Sequence, residues 1–143
     1  MTFAINARVY FEDTDAGGIV YHANYLKFTE RARTDWLRQL KISQDKMMQD
    51  GKGFVISRLN ARFVKSARLD DMLTITCIPV KVRRVGISFY QQVFNQNDEL
   101  LFEMECEIAF IDLNKGIPSR MDKTSFEFAQ TQIPENVEDM RVK

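Results

Sequence analysis

The repeat of the apolar residues changes partway along the chain, and this limits the fold more than any other feature. Between residues 24 and 40 the repeat is helical, with Tyr25, Phe28, Ala32, Trp36 and Leu40 on one face. From Phe54 onward the repeat is two. In 54–66, Val55, Leu59, Ala61 and Phe63 share one face, and Arg58, Asn60 and Arg62 share the other. In 100–112, Leu100, Phe102, Met104, Cys106, Ile108 and Phe110 face one way, and Glu103, Glu105 and Glu107 the other. Residues 72–82 and 87–94 read as the strands between, joined through the turns "RLDD", "RRVG" and "NQNDE". Pro79 points to a bulge or an edge. Residues 6–12 read as a first strand, and Ser43 and Gly51 bracket a short helix. One amphipathic helix of roughly 25 Å and a meander of long strands make an α+β arrangement, in which the sheet curls around the helix.

Several local expectations follow. Asn24 is placed to cap the long helix. Arg31 and Asp35 stand at i,i+4, and Glu30 reads as a solvated partner of Arg31 or Arg33. The glutamates of 100–112 could be read as metal ligands. Cross-strand pairs with Arg58 and Arg62 explain them better, because strand neighbours at i and i+2 diverge too little to wrap one ion.

A chain of 143 residues suits one domain over 1–133, with a polar, loosely held tail at 134–143. Twenty basic residues balance twenty acidic ones, which argues against bulk nucleic-acid binding and against a polybasic membrane patch. No apolar run approaches a membrane span, and "MTFAINARVY" lacks the pattern of a signal peptide. Cys77 and Cys106 lie inside apolar runs with no metal-ligand spacing, and a reducing cytoplasm is expected.

Chemistry concentrates in "YFEDTDAGGIVYHANYLKFTERARTDWL", residues 10–37, where Asp13, Asp15, Gly17, Gly18 and the single histidine, His22, precede the helix. Adjacent glycines admit positive φ and let a ligand approach the backbone. A helix start presents free amides that can polarise a carbonyl or hold an oxyanion. A carboxylate and a donor cluster in one loop are the two parts acyl hydrolysis needs. The segment does not fit an EF-hand, which needs further oxygen ligands and flanking helices, or a P-loop, because Ile19-Val20 stand where lysine and serine or threonine belong. Spacing alone leaves a plain turn and an active site both open. The "SQDK" of 43–46 matches a penicillin-recognising motif without its partner motifs, and carries nothing.

This segment closely resembles the 4-hydroxybenzoyl-CoA thioesterase family of hotdog-fold enzymes, and within it the YbgC-type acyl-CoA thioesterases of bacteria linked with the Tol–Pal envelope system. The likeness runs through "FVKSARLDDMLTI" to about residue 115. It implies a curved antiparallel five-stranded sheet, in the order 1-3-4-5-2, around a long central helix. It also implies an acyl-CoA thioesterase without metal or cofactor. Asp15 would attack the thioester carbonyl or activate a water. The His22 backbone N–H would hold the thioester oxygen, and its ring is a second catalytic candidate. Asp13 would orient the loop. Gly17, Gly18, Tyr25, Phe28 and Phe63 would contact the substrate. Arg83 and Arg84, with Lys65 and Arg68, would bind coenzyme A. Homodimers or homotetramers are implied, with sites between subunits. The alternative is a non-catalytic module that binds acyl carrier protein or acyl-CoA in envelope lipid metabolism.

Overall fold

Every described strand belongs to one antiparallel sheet. The computed structural model of the chain describes residues 2–40 and 44–143, with the backbone alone at 44–46. The elements run β1 (Ala4–Arg8), α1 (Asn24–Arg38), α2 (Gln44–Gln49), β2 (Lys52–Phe63), β3 (Met72–Thr76), β4 (Ile78–Arg83), β5 (Gly86–Phe94), β6 (Leu100–Asp112), β7 (Ile117–Pro118) and α3 (Lys123–Thr131). The sheet order is β1-β3-β5-β6-β2, with β4 also paired to β5 and β7 to β6. With β3 and β4 counted as one broken strand, this is the expected five-strand order. The cap expected at Ser43 lies outside the described residues. Gly51, at φ +73°, ends α2 as expected.

Helix α1 lies against the sheet along its apolar face. Tyr25, Phe28, Ala32, Trp36 and Leu40 are all buried. Trp36 meets Phe89 edge-on at 5.0 Å, and Tyr25 stacks on Phe102 at 4.9 Å. The alternation read in 100–112 holds from 104 to 110, where Met104, Cys106, Ile108 and Phe110 are buried and the residues between them half-buried; before it Leu100 is half-buried, and Leu101, Phe102 and Glu103 are all buried. Arg62 stands opposite Glu103 and Arg58 opposite Glu107 across β2 and β6. Arg62 Nη2 lies 3.1 Å from Glu103, whereas Glu107 forms its ion pair with Arg83 at 3.6 Å. The charge pairing expected of the stripe is therefore formed at Glu103 by Arg62, and at Glu107 by Arg83 of β4, a strand that pairs with β5 and not with β6.

The strand expected over 72–82 breaks at Cys77 in its pairing with β5, while the pairing with β1 runs on, the Cys77 N–H donating to the Phe3 carbonyl at 3.0 Å. Thr76 Oγ1 spans the gap by accepting from Gln92 N–H at 2.9 Å. The register is the same on both sides of the break and shifts only between Pro79 and Lys81, at the bulge that Pro79 announced. Gln91, wholly buried, closes the break from within. Its amide donates to the Thr76 carbonyl at 3.2 Å and to the Thr29 carbonyl of α1 at 2.9 Å, and its oxygen accepts from Arg33 at 3.0 Å. Arg33 is thus buried against Gln91 instead of standing in solvent beside Glu30. Burial pushes the thiol of Cys77 well above its usual value and raises that of Cys106, so both remain inert core groups.

Three further expectations are corrected. Asn24 does not cap α1: the cap position is Ala23, without a side-chain bond, and the Asn24 side chain goes elsewhere. Asp35 pairs with Arg38, and Arg31 lies over the Phe28 ring at 5.4 Å. The tail returns to the sheet, where the Lys143 N–H donates to Glu103 at 3.0 Å and the Val142 N–H donates to Glu105. Helix α3 is an element beyond those expected. Its signal was present in Asp122, which accepts from Ser125 N–H at 2.9 Å, ahead of Phe126 and Ala129 at helical spacing. Among the described residues no helix is long and apolar enough to cross a membrane.

Candidate active site

Asp15 sits at the base of a tight hairpin over residues 14–20. Its N–H donates to the Ile19 carbonyl at 2.9 Å, and its carbonyl accepts from Gly18 N–H at 3.0 Å. This is a three-residue loop, and Gly18 takes the left-handed position at φ +77°. Gly17 N–H donates to Asp15 Oδ1 at 2.8 Å, and a Cβ on Gly17 would come within 3.2 Å of that oxygen. The two glycines therefore have separate jobs: Gly18 makes the turn, and Gly17 lets the Asp15 carboxylate fold over it. One carboxylate oxygen is held by a backbone amide, and Asp15 as a whole is exposed.

The hairpin docks on the segment after β2. Val20 N–H donates to the Ala67 carbonyl at 2.9 Å, and Ile19 bridges to Arg68. Ala67 N–H in turn donates to the Tyr25 hydroxyl at 3.1 Å. Burial raises the Tyr25 phenol above its ordinary value, against the Ala67 bond, which lowers it.

His22 is exposed between the hairpin and α1. Its ring lies 4.6 Å from that of Tyr21 and 6.4 Å from that of Phe63. Phe63 meets Tyr25 at 5.8 Å and Phe102 at 5.1 Å, so an aromatic series leads from the buried Phe102 to the exposed His22. Asn24 N–H donates to the Tyr21 carbonyl at 2.8 Å and Leu26 N–H to the Ala23 carbonyl at 3.1 Å, whereas the His22 and Ala23 amides donate to no acceptor among the described residues. The helix start thus offers unoccupied donors beside an exposed carboxylate loop.

Asp13, two residues before Asp15, is buried. Its carboxylate accepts from Tyr10 N–H at 2.8 Å and from Asn24 Nδ2 at 2.7 Å, and its carbonyl accepts from Tyr21 N–H at 2.9 Å. Sequence reasoning missed Asn24 as its partner, because a polar residue at a helix start reads first as a cap. It also missed Tyr21 and Phe102, and no local pattern distinguishes those two from other aromatic residues.

The remaining candidates are dispersed. Phe28 is wholly enclosed in the core, and Phe63 is exposed. Lys65 pairs with Glu99, and Arg68 lies beside the hairpin at Ile19. Arg83 pairs with Glu107, and Arg84 donates from Nε to the Met121 carbonyl at 2.7 Å and lies over the Phe126 ring at 5.8 Å. From Phe102, at the hairpin end, to Glu107, beside Arg83, β6 spans on the order of 17 Å at about 3.4 Å per residue. Within one chain the two basic pairs therefore stand at different places along the sheet.

Comparison with known proteins identifies the family. The sequence pattern of the Thioesterase superfamily matches residues 17–102. The acyl-CoA thioester hydrolase YbgC of Escherichia coli is 41% identical over 117 residues, covering 82% of this chain and 87% of that protein. The acyl-CoA thioesterase YbgC of Haemophilus influenzae is 38% identical over 122 residues, covering 85% and 89%. Among solved structures, a probable thioesterase from Bartonella henselae superposes with a TM-score of 0.78 at 30% identity, over 85% of this chain and 100% of that one.

Proposed function

The chain belongs to the thioesterase superfamily and has its hotdog fold, and from that membership we propose that it hydrolyses acyl-CoA thioesters to a free acid and coenzyme A, with Asp15 as the catalytic carboxylate. The observation that carries the assignment is the state of that carboxylate. One oxygen is tied to Gly17 N–H, and the exposed group stands on a hairpin that leads into a helix start with free amides. In one route the second oxygen bonds to the thioester carbonyl carbon. The C–S bond breaks, the thiolate leaves and is protonated, and water hydrolyses the anhydride. In the other route the carboxylate takes a proton from water as the water oxygen adds to the carbonyl; the tetrahedral intermediate then collapses, the C–S bond breaks, and the leaving thiolate takes up a proton. In both, negative charge builds on the carbonyl oxygen, where the His22 N–H meets it. The His22 ring, beside Phe63, stands at the entrance as the second catalytic candidate.

Phe63 forms the acyl wall in this reading, with Tyr25 behind it, since Phe28 is enclosed in the core. Arg68, which bridges to Ile19 of the hairpin, and Lys65, three residues before it, would meet coenzyme A phosphates in the same chain. Arg83 and Arg84 would do so for a partner subunit. A second copy is expected because β2 ends the sheet with no further strand among the described residues, and Val55, Ile56, Leu59 and Phe63 are exposed on it. A cytoplasmic location, a tetramer and a link to the Tol–Pal system complete the proposal by likeness to YbgC-type enzymes.

The test is steady-state hydrolysis of acyl and aryl thioesters on coenzyme A and on acyl carrier protein, by the native protein and by Asp15→Ala. We expect the variant to lose roughly 10³-fold in kcat. Equal rates would remove Asp15 from the chemistry. A native protein that binds both carriers and hydrolyses neither would be the non-catalytic module.

A further inference from the structure

We propose that Asp13 and Asn24 form a positioning pair that sets the Asp15 hairpin against the start of α1, a role that rests on the thioesterase reading above. Asp13 and Asp15 are chemically identical and two residues apart, yet Asp13 is 7% exposed and turned inward while Asp15 is exposed. The three bonds to Asp13 come from Tyr10, Tyr21 and Asn24. Tyr10 precedes the hairpin, Tyr21 follows it, and Asn24 is the first residue of α1. One buried residue therefore ties both stems of the hairpin to the helix that supplies the carbonyl-binding amides. A buried carboxylate is costly unless its oxygens are hydrogen-bonded, and here each oxygen has a donor.

The bond has a second consequence at Asn24. An asparagine at a helix start ordinarily satisfies the first free amides with its side-chain oxygen. Here the side chain is 5% exposed and committed to Asp13, and the cap position, Ala23, has no polar group to offer. The same interaction that fixes the hairpin thus takes the asparagine side chain away from capping the first turn of α1. Small displacements between a reacting carboxylate and an oxyanion site cost rate much more than binding, which is the signature expected of this pair.

Asn24→Ala and Asp13→Asn separate positioning from simple structural support. Each should lower kcat per folded molecule by roughly 10- to 100-fold while KM changes by less than about threefold. The exchanged pair, Asp13→Asn with Asn24→Asp, restores one donor and one acceptor between the two side chains. It should recover kcat above either single variant. Amide hydrogen exchange gives a readout independent of turnover. Gly17 and Gly18 N–H, both bonded to Asp15, should exchange at least tenfold faster in Asn24→Ala and be unchanged in the distant control Thr131→Ala. Unchanged Gly17 and Gly18 exchange in Asn24→Ala would overturn the proposal. So would losses in activity that follow only the loss of folded protein, with no recovery in the exchanged pair. If the native protein hydrolyses no thioester, the thioesterase reading fails, and the exchange measurement still decides whether the pair holds the hairpin.

Discussion

Arg62 and Glu103 stand opposite one another across β2 and β6, with 3.1 Å between Nη2 and Oε2. The arginine is 42% exposed and the carboxylate only 2%. The other Glu103 oxygen accepts from Lys143 N–H at 3.0 Å, so the returning tail helps to cover the carboxylate. Arg62→Ala would leave a covered charge without its cation, a loss on the order of 3 kcal/mol. Replacing both partners with apolar residues of similar volume, as Arg62→Met with Glu103→Leu, should lie within about 1 kcal/mol of the native protein. Urea unfolding of both variants measures this. An Arg62→Ala protein of native stability would show that solvent, not the arginine, satisfies Glu103.

Tyr25 joins the core to the candidate site through one hydroxyl. Tyr25→Phe leaves Ala67 N–H without its acceptor, and we expect a loss of about 1–2 kcal/mol at neutral pH. The native protein should also show an alkaline weakness that the variant lacks. Burial raises the folded phenol above its ordinary value of 10.0. The stability linked to the neutral phenol is therefore complete below that value and is lost as pH rises from there through the folded value. Unfolding free energies at pH 8 and pH 11 should accordingly converge between native and variant proteins, and a constant gap would refute the assignment.

Gly86 and Gly18 are both intolerant of a side chain, for different reasons. A Cβ at Gly86 would lie 2.6 Å from the Ile108 carbonyl oxygen, which belongs to the rigid ladder of β6. Gly86→Ala should cost about 2 kcal/mol or more through overpacking. At Gly18 nothing lies within 4 Å, and the objection is the backbone at φ +77°. Gly18→Ala should cost only about 1 kcal/mol. Thermal melts should rank the two in that order. A Gly18→Ala protein less stable than Gly86→Ala would reverse the argument.

The architecture was legible where periodicity carried it. Tyr25, Phe28, Ala32, Trp36 and Leu40 could be placed on one buried helix face because helical spacing leaves few alternatives. The opposition of Arg62 to Glu103 followed from two complementary stripes and the strand order that the family resemblance implied. The break at Cys77 was not legible, since its neighbours keep an uninterrupted β-prone character. What interrupts the pairing with β5 is side-chain bonding, with Thr76 Oγ1 taking the Gln92 N–H and the Gln91 amide taking the Thr76 carbonyl, between residues 15 and 16 apart in sequence. Arg33 was misread for the same reason. Its burial depends on Gln91, which reaches up from β5 to meet it.

The site divides along the same line. From the amino-acid order alone come the glycine pair, the two aspartates and a helix beginning nearby, because turn chemistry and helical repeat are local properties of consecutive residues. Spacing does not separate Asp13 from Asp15; the family resemblance gives them different roles, and the folded chain supplies the physical difference. One carboxylate is buried and saturated by Tyr10 and Asn24, while the other remains exposed with a single amide on one oxygen. That division depends on which donors the hairpin, the helix start and the Ala67 segment bring together. Hydrogen-bond satisfaction in a buried place is decided by neighbours in space, which residue spacing does not encode.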